Sequence, residues 1–344
     1  MSKRVTIYSI AKELGISIAT VNRAIYNKPQ VSESTKQRVL AAAKEMGFQP
    51  NTLARSLARP PIRLAVVAFS SFPVFHNSFL TGVRATMEEL RDYNVSVDCF
   101  DYDQGSSYTE KGAVFLRETY EQILREHYDG VLVCAKETEY SQTLCENGIQ
   151  VATAINDIPP SKRSFCVRYN GRVAGSVAAE LMWHYGNPSR PVYIASAGDS
   201  EYSIHSETIH GFMNQLSVTP LPQVQIYNHF DDPTLAYTET LRVLDECPEL
   251  GGIYVNSFNS LGVIQAVVEH GLAGKICLIT SDIYDELREY IRDGVVSASL
   301  FQNQYQQGKT ALRLLYHHIA DKQAVPDTIM VEPQIILRSN LEMF

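Results

Sequence analysis

Residues 6–24, TIYSIAKELGISIATVNRA, hold two helical patterns separated by one glycine. Thr6 is placed to cap the first pattern, in which Ile7, Ile10, Ala11 and Leu14 share a face. Gly15 permits a sharp turn that a side chain would obstruct. Ser17 then caps a second pattern running to about Ile25, with Val21 and Ala24 facing inward. Its outward residues are Ser17, Ile18, Ala19, Asn22 and Arg23. Two short helices joined by a glycine-containing turn make a helix-turn-helix. Small residues at the start of the second helix let its backbone approach a groove, and Asn and Arg suit bidentate contact with base edges. The next stretch, VSESTKQRVLAAAKEMGF (31–48), supplies a third helix capped by Ser32 and stopped at Gly47. Val39, Leu40, Ala43 and Met46 are expected to complete a small core.

The charge distribution agrees with that reading. Residues 1–63 hold eleven Lys and Arg against three Glu, a net +8, while the remainder of the 344-residue chain carries −16. A basic head concentrates polyanion binding in one place, and the acidic body is repelled by the same polyanion, which orients the molecule. With 45% hydrophobic and 20% charged residues the chain has the composition of a soluble globular protein, long enough for two or three domains. No apolar run approaches the roughly 18 residues of a membrane span, and Lys12 and Glu13 interrupt any signal-peptide core. The six cysteines (99, 134, 145, 166, 247 and 277) have no CxxC spacing and mostly sit in apolar runs. A cytoplasmic protein without disulfides or structural zinc is expected.

Residues 6–58 resemble the DNA-binding head of the lactose-repressor (LacI/GalR-type) family. The marks are T-I-x-x-I-A from Thr6, G-I-S-x-x-T-V-N-R from Gly15, V-S-x-x-T-x-x-R-V from Val31 and G-F-x-P-N-x-x-A-R-S-L from Gly47. Many relatives carry Ser where this chain has Asn22. The resemblance implies DNA contacts from Thr6, Ser17, Ile18, Ala19, Asn22, Arg23, Tyr26, Ser32 and Thr35. It assigns operator preference to Ile18 and Ala19, whose apolar side chains suit thymine methyls.

The segment PNTLARSLARPP (50–61) has its own logic. Asn51 can cap a short helix after Pro50, with Leu53, Ala54 and Leu57 along one side. One or two turns are too short to be stable alone in water. The resemblance makes this a hinge helix that orders with its twin in the minor groove. Asn51, Ala54 and Arg55 then contact DNA, and Leu57 wedges between central base steps. Arg55 and Arg59 would help hold phosphates, and Pro60-Pro61 marks a domain boundary.

From Arg63 onward, β-type runs alternate with helical stretches: RLAVVAF (63–69), VSVDCF (95–100), GVLVCA (130–135), IQVATAI (149–155), FCVRY (165–169), PVYIASA (191–197), QVQIYNHF (223–230), GGIYVN (251–256), KICLITS (275–281) and VVSASLF (295–301). Amphipathic segments such as GRVAGSVAAELMWHY (171–185) lie between them. Ten βα units over about 280 residues divide more naturally between two Rossmann-like parallel sheets than into one. No G-x-G-x-x-G follows the first strand and no G-x-x-x-x-G-K-[ST] occurs, so a nucleotide cofactor has no support.

In such sheets ligands sit beyond the strand C-terminal ends, where Phe75, His76, Arg168, Phe230, Asn256, Asp282 and Gln302 fall. The body, roughly 62–340, resembles the periplasmic sugar-binding fold that serves as effector domain in the same repressor family. Its marks are Gly211-Phe212, NSFNSLG (256–262), TSD (280–282), ASLFQNQYQQG (298–308) and EPQIILRSNL (332–341). The resemblance implies that Asn256, Asp282 and Gln302 hydrogen-bond ligand hydroxyls and that Phe75 and Phe230 stack on its apolar faces. Ribose-type binders carry a carboxylate and an arginine at the positions of Ile155 and Ser206, and here Arg168 and His76 are expected to supply the missing donors.

His205 and His210 lack the i, i+4 spacing of a zinc pair, and His229, Asp231 and Asp232 read as a helix-capping loop before Pro233. No catalytic grouping and no metal set is expected.

The expected organisation is an all-α helix-turn-helix head over 1–48, a hinge helix and linker over 49–61, and a two-lobed α/β body over 62–344. Lobe 1 is assigned about 62–168 and 303–326, and lobe 2 about 169–302 and 327–344. The expected function is a repressor that binds pseudo-palindromic operator DNA as a homodimer, under control of a carbohydrate-like ligand between the lobes. No leucine-heptad tail follows Arg338, which favours the dimer over a tetramer. The competing readings are a solute-binding protein without DNA function, which the basic head argues against, and a Rossmann-type enzyme, which the absent dinucleotide fingerprint argues against.

Overall fold

The computed structural model describes residues 5–26, 29–48, 56–57, 59–69, 73–102, 110–134, 139–157, 162–198, 204–221 and 223–344. The chain divides into two compact units, Met1–Pro60 and Pro61–Phe344.

The first unit contains α1 (Ile7–Leu14), α2 (Ile18–Ile25) and α3 (Glu33–Glu45). Each begins at a hydroxyl cap. Thr6 accepts from Ser9 N–H, Ser17 from Thr20 N–H at 3.0 Å, and Ser32 from Thr35 N–H at 3.3 Å. Gly15 closes α1 in the left-handed region at φ 63°, and its N–H returns to the Ala11 carbonyl. Ile10, Ala11, Val21, Ala24, Val39 and Ala43 form the buried core, with Ile7, Leu14 and Met46 packed around it. Leu40 corrects the sequence reading. It lies on the outer side of α3 and is 37% exposed, because the inward stripe runs through Val39 and Ala43, four residues apart.

The second unit has two lobes, each a six-stranded sheet with helices on both faces. Lobe 1 carries β1 (Ile62–Phe69), α4 (Pro73–Leu90), β2 (Val95–Tyr102), α5 (Glu110–Arg125), β3 (Gly130–Cys134), α6 (Glu139–Glu146), β4 (Gln150–Ala154) and β5 (Phe165–Tyr169). Lobe 2 carries α7 (Gly171–Tyr185), β6 (Val192–Ser196), α8 (Ile204–Gln215), β7 (Val224–Asn228), α9 (Pro233–Glu246), β8 (Gly252–Val255), α10 (Leu261–Glu269), β9 (Cys277–Ser281), α11 (Asp285–Arg292) and β10 (Ala298–Phe301). The chain returns to lobe 1 for α12 (Gln304–Asp321) and β11 (Thr328–Val331), and ends in lobe 2 with β12 (Gln334–Ile336) and the 3₁₀ turn Arg338–Met343.

The sheet orders are β11-β5-β4-β3-β1-β2 and β12-β10-β9-β8-β6-β7. Every pairing is parallel except β12 with β10. Each of the ten β-type runs contains a strand. The central strands β3, β6, β8 and β9 are buried along their whole length, as continuous apolar runs in a two-sided parallel sheet require. Apolar clusters cover both faces of each sheet.

The lobe boundary near 327 is also corrected. Thr328–Val331 pairs in parallel with β5, so this strand completes the lobe 1 sheet, and the last crossing comes at 332–333. Three crossings therefore join the lobes, near residues 170, 302 and 332. Asn170 donates to the Glu332 carboxylate at 3.0 Å and its N–H meets the Val331 carbonyl, while Asn303 donates to Gln334 at 3.2 Å. The crossings are thus hydrogen-bonded to one another.

Candidate functional site

In the head, Thr6, Ser17, Ile18, Ala19 and Ser32 are exposed, and Asn22, Arg23, Tyr26 and Thr35 are half-buried. Ile18 leaves 51% of its surface open at the first position of α2. That helix start presents small and apolar side chains beside unbonded backbone N–H groups, a surface suited to a phosphate-lined groove. Thr6, Ser17 and Ser32 are all helix caps, so three helix N-termini carry hydroxyls there. Of the hinge residues, Asn51, Ala54 and Arg55 lie outside the described residues. Leu57 is described; it sits in a short helical turn with Ser56 and is 63% exposed.

Where the lobes meet, the contacts come from α4, from segments that follow the strands and from the start of α8. Phe75, on α4, meets Phe258, just after β8, edge to face at 5.9 Å. Phe258 leans in turn on Tyr284 at 5.0 Å, and the Tyr284 hydroxyl shares a 2.7 Å hydrogen bond with Ser260. An aromatic bridge therefore spans the lobes. His76 is buried, with Nε2 against the Asp101 carboxylate and Nδ1 unpartnered.

Arg168, on β5, donates from Nη2 to Glu207 on α8 at 2.7 Å, and its buried Nε–H has no partner. Asn256 is held by α8 as well. Its amide donates to the His205 carbonyl at 3.1 Å and to Thr208 Oγ1 at 2.9 Å, and its Oδ1 is buried without a partner.

Asp282 and Gln302 come together directly. The Asp282 carboxylate accepts from the Gln302 backbone N–H at 3.1 Å, from Gln302 Nε2 at 2.7 Å and from Gln304 Nε2 at 2.7 Å. Burial lifts this carboxyl to about 6, and the three donors pull against that rise. Its backbone is held in the left-handed region at φ 67°.

Phe230 follows β7 with φ 53°, packs its ring against Gly198 and remains 66% exposed. It therefore stands apart from the Phe75–Phe258 bridge among the pairs of aromatic contacts found in the described residues. Asp232 caps α9 by accepting from Leu235 N–H at 2.9 Å. His229 is buried with Nε2 3.4 Å from Ser257 Oγ, and burial pushes its pKa down. Among the described residues no three His, Cys, Asp or Glu side chains gather as a metal set, and no helix is long and apolar enough to cross a membrane.

Sequence reasoning missed Phe258, Glu207, Thr208 and Gln304. Phe258 lies inside the NSFNSLG mark, so an aromatic placed three residues after a buried strand was a usable signal. Glu207 and Gln304 act through partners 39 and 22 residues away, which spacing does not reveal.

The comparisons with known proteins follow this division. Residues 6–51 match the family of bacterial regulatory proteins of the lacI type, and residues 65–323 match the periplasmic binding protein domain. Over its length the chain is 25% identical to catabolite control protein A of Priestia megaterium, covering 96% of this chain and 97% of that one. It is also 25% identical to the HTH-type transcriptional repressor PurR of Mannheimia succiniciproducens, covering 98% of each. The body superposes on GanP, a glucose-galactose binding protein from Geobacillus stearothermophilus, with TM-score 0.71 at 17% identity, over 82% of this chain and 99% of that one. A solute-binding protein from Burkholderia graminis in complex with D-arabinose gives TM-score 0.71 at 21% identity, over 83% and 98%. A capped, basic helix-turn-helix with a lacI-type match thus precedes two mostly parallel sheets, and the chain belongs to the periplasmic-binding-protein domain family with a lacI-type regulatory head.

Proposed function

We propose that this protein is a transcriptional repressor whose affinity for operator DNA is set by a small, carbohydrate-like effector in the interlobe cleft. The observation that carries the reading is the joining, in one chain, of a lacI-type helix-turn-helix to a two-lobed binding body. The full-length relatives named as repressors, and the sugar-binding structures that share the body's fold, support it.

In this reading two copies place their α2 helices in successive major grooves of a pseudo-palindromic operator. Ser17, Ile18, Ala19, Asn22 and Arg23 face the bases, and Thr6, Tyr26, Ser32 and Thr35 hold phosphates. The segment 49–61 pairs with its twin in the minor groove, with Asn51, Ala54 and Arg55 on DNA and Leu57 as the wedge. In the cleft, Phe75, His76, Arg168, Phe230, Asn256, Asp282 and Gln302 bind the effector. Effector binding changes the lobe angle through the three crossings, and by linkage operator DNA alters effector affinity by the same factor. The work is binding rather than catalysis.

Footprinting on a duplex that the intact chain selects from a randomised library tests the proposal. Protection of two half-sites one helical turn apart, altered when cell metabolites are added, is expected. Uniform protection, insensitive to metabolites, would contradict it.

A further inference from the structure

Arg168 and Glu207 form the one ion pair between the lobes among the described residues, at 2.7 Å, with the two side chains only 15% and 20% exposed. Arg168 is the penultimate residue of β5, three residues before α7 begins. Its position follows the lobe 1 sheet. Glu207 lies in the first turn of α8. That helix is seated on α7 without side-chain slack: a Cβ added at Gly175 would stand 1.8 Å from the Thr208 carbonyl oxygen, and one at Gly211 would stand 2.0 Å from the Arg172 carbonyl oxygen. Glu207 therefore moves with lobe 2, and the pair joins the two lobes directly.

The guanidinium is only partly used. Nη2 meets Glu207, whereas Nε–H is buried and unpartnered. A buried donor left without an acceptor costs free energy that a ligand oxygen recovers. Glu207 also cancels the charge of Arg168, so the unpartnered Nε–H offers a directed hydrogen bond rather than a net positive charge.

We propose that Glu207 is a positioning residue of the cleft: it holds Arg168 of the opposite lobe through Nη2, leaves the neighbouring Nε–H for a ligand oxygen, and ties that donor to the lobe angle. This rests on reading the cleft as the effector site, but its test requires neither effector nor DNA.

The test uses the full chain labelled with ¹⁵N-arginine, the Arg168 Nε–H signal being assigned by its loss in Arg168→Lys. In Glu207→Gln this signal is expected to shift and to exchange with solvent several-fold faster. Backbone amide exchange around 169–171 and 331–334 is expected to rise several-fold in both Glu207→Gln and Arg168→Gln. The double variant Arg168→Glu with Glu207→Arg, which restores the pair with reversed polarity, is expected to bring backbone exchange back toward the wild-type rate. An unchanged Arg168 signal in Glu207→Gln, or a double variant no better than the singles, would overturn the proposal. A failure to bind operator DNA would leave these measurements intact, so the two readings fail separately.

Discussion

Gln304, the first residue of α12, donates its amide N–H to Asp282, the residue after β9, across 2.7 Å, and so joins a helix of lobe 1 to a strand end of lobe 2. Gln302 adds two further donors from the crossing itself. The carboxylate that sequence reading gives to the ligand is thus also the clasp of the second crossing.

This clasp has a pH signature. Burial raises the Asp282 carboxyl to about 6, above its unfolded value, so the folded state binds this proton more tightly. The contribution of Asp282 to stability therefore improves as pH falls from about 6 toward 4, and is least favourable above 6. Its full span is up to about 3 kcal/mol. Thermal unfolding of wild type and Asp282→Asn at pH 7 and pH 5 checks this. The difference should move in favour of wild type at the lower pH; a difference independent of pH would count against the burial argument.

A second expectation concerns the seating of α4 on α12. A Cβ added at Gly82 would lie 2.0 Å from the Tyr305 carbonyl oxygen. Gly82→Ala must therefore push the helices apart, at a cost of about 1–3 kcal/mol. Urea unfolding should show a lower midpoint, whereas an unchanged midpoint would mean that the helices separate freely.

The aromatic bridge makes a third. An edge-to-face pair contributes about 0.5–1.5 kcal/mol. Phe258→Ala removes the lobe 2 partner of Phe75 at the cleft. Effector binding should weaken by up to about tenfold, with operator affinity in the absence of effector unchanged. Titration calorimetry with the identified effector measures the first quantity and anisotropy the second; unchanged effector affinity would take Phe258 out of the site.

Leu57 supplies the fourth. Because it is 63% exposed, Leu57→Gly costs the protein no buried contact of size. Chain stability should stay within about 1 kcal/mol, the range of an exposed helical glycine substitution. Specific operator binding should fall far more than binding to random duplex. Equal losses on both would remove the wedge from the mechanism.

The head was legible almost in full because caps and a 3.6-residue apolar stripe are local signals. Thr6, Ser17 and Ser32 cap the helices that they were expected to cap. Leu40 escaped because an apolar residue next to a stripe looks like part of it. The first ten strands were legible as β-type apolar runs, but β11 was not. It is an edge strand with no fully buried residue, and its place in lobe 1 is set by pairing with β5 some 160 positions away. The cleft was legible as a set of strand ends. Which side chain meets which, as with Arg168 and Glu207 or Asp282 and Gln304, depends on how the lobes face each other.

The most direct test of the whole account is selection of duplexes by the intact chain from a randomised library, followed by affinity measurement on the winner. A two-fold-symmetric site should emerge, and its affinity should fall by about 10³-fold or more between about 50 and 200 mM salt. A library that stays random, with or without cell metabolites present, would contradict it.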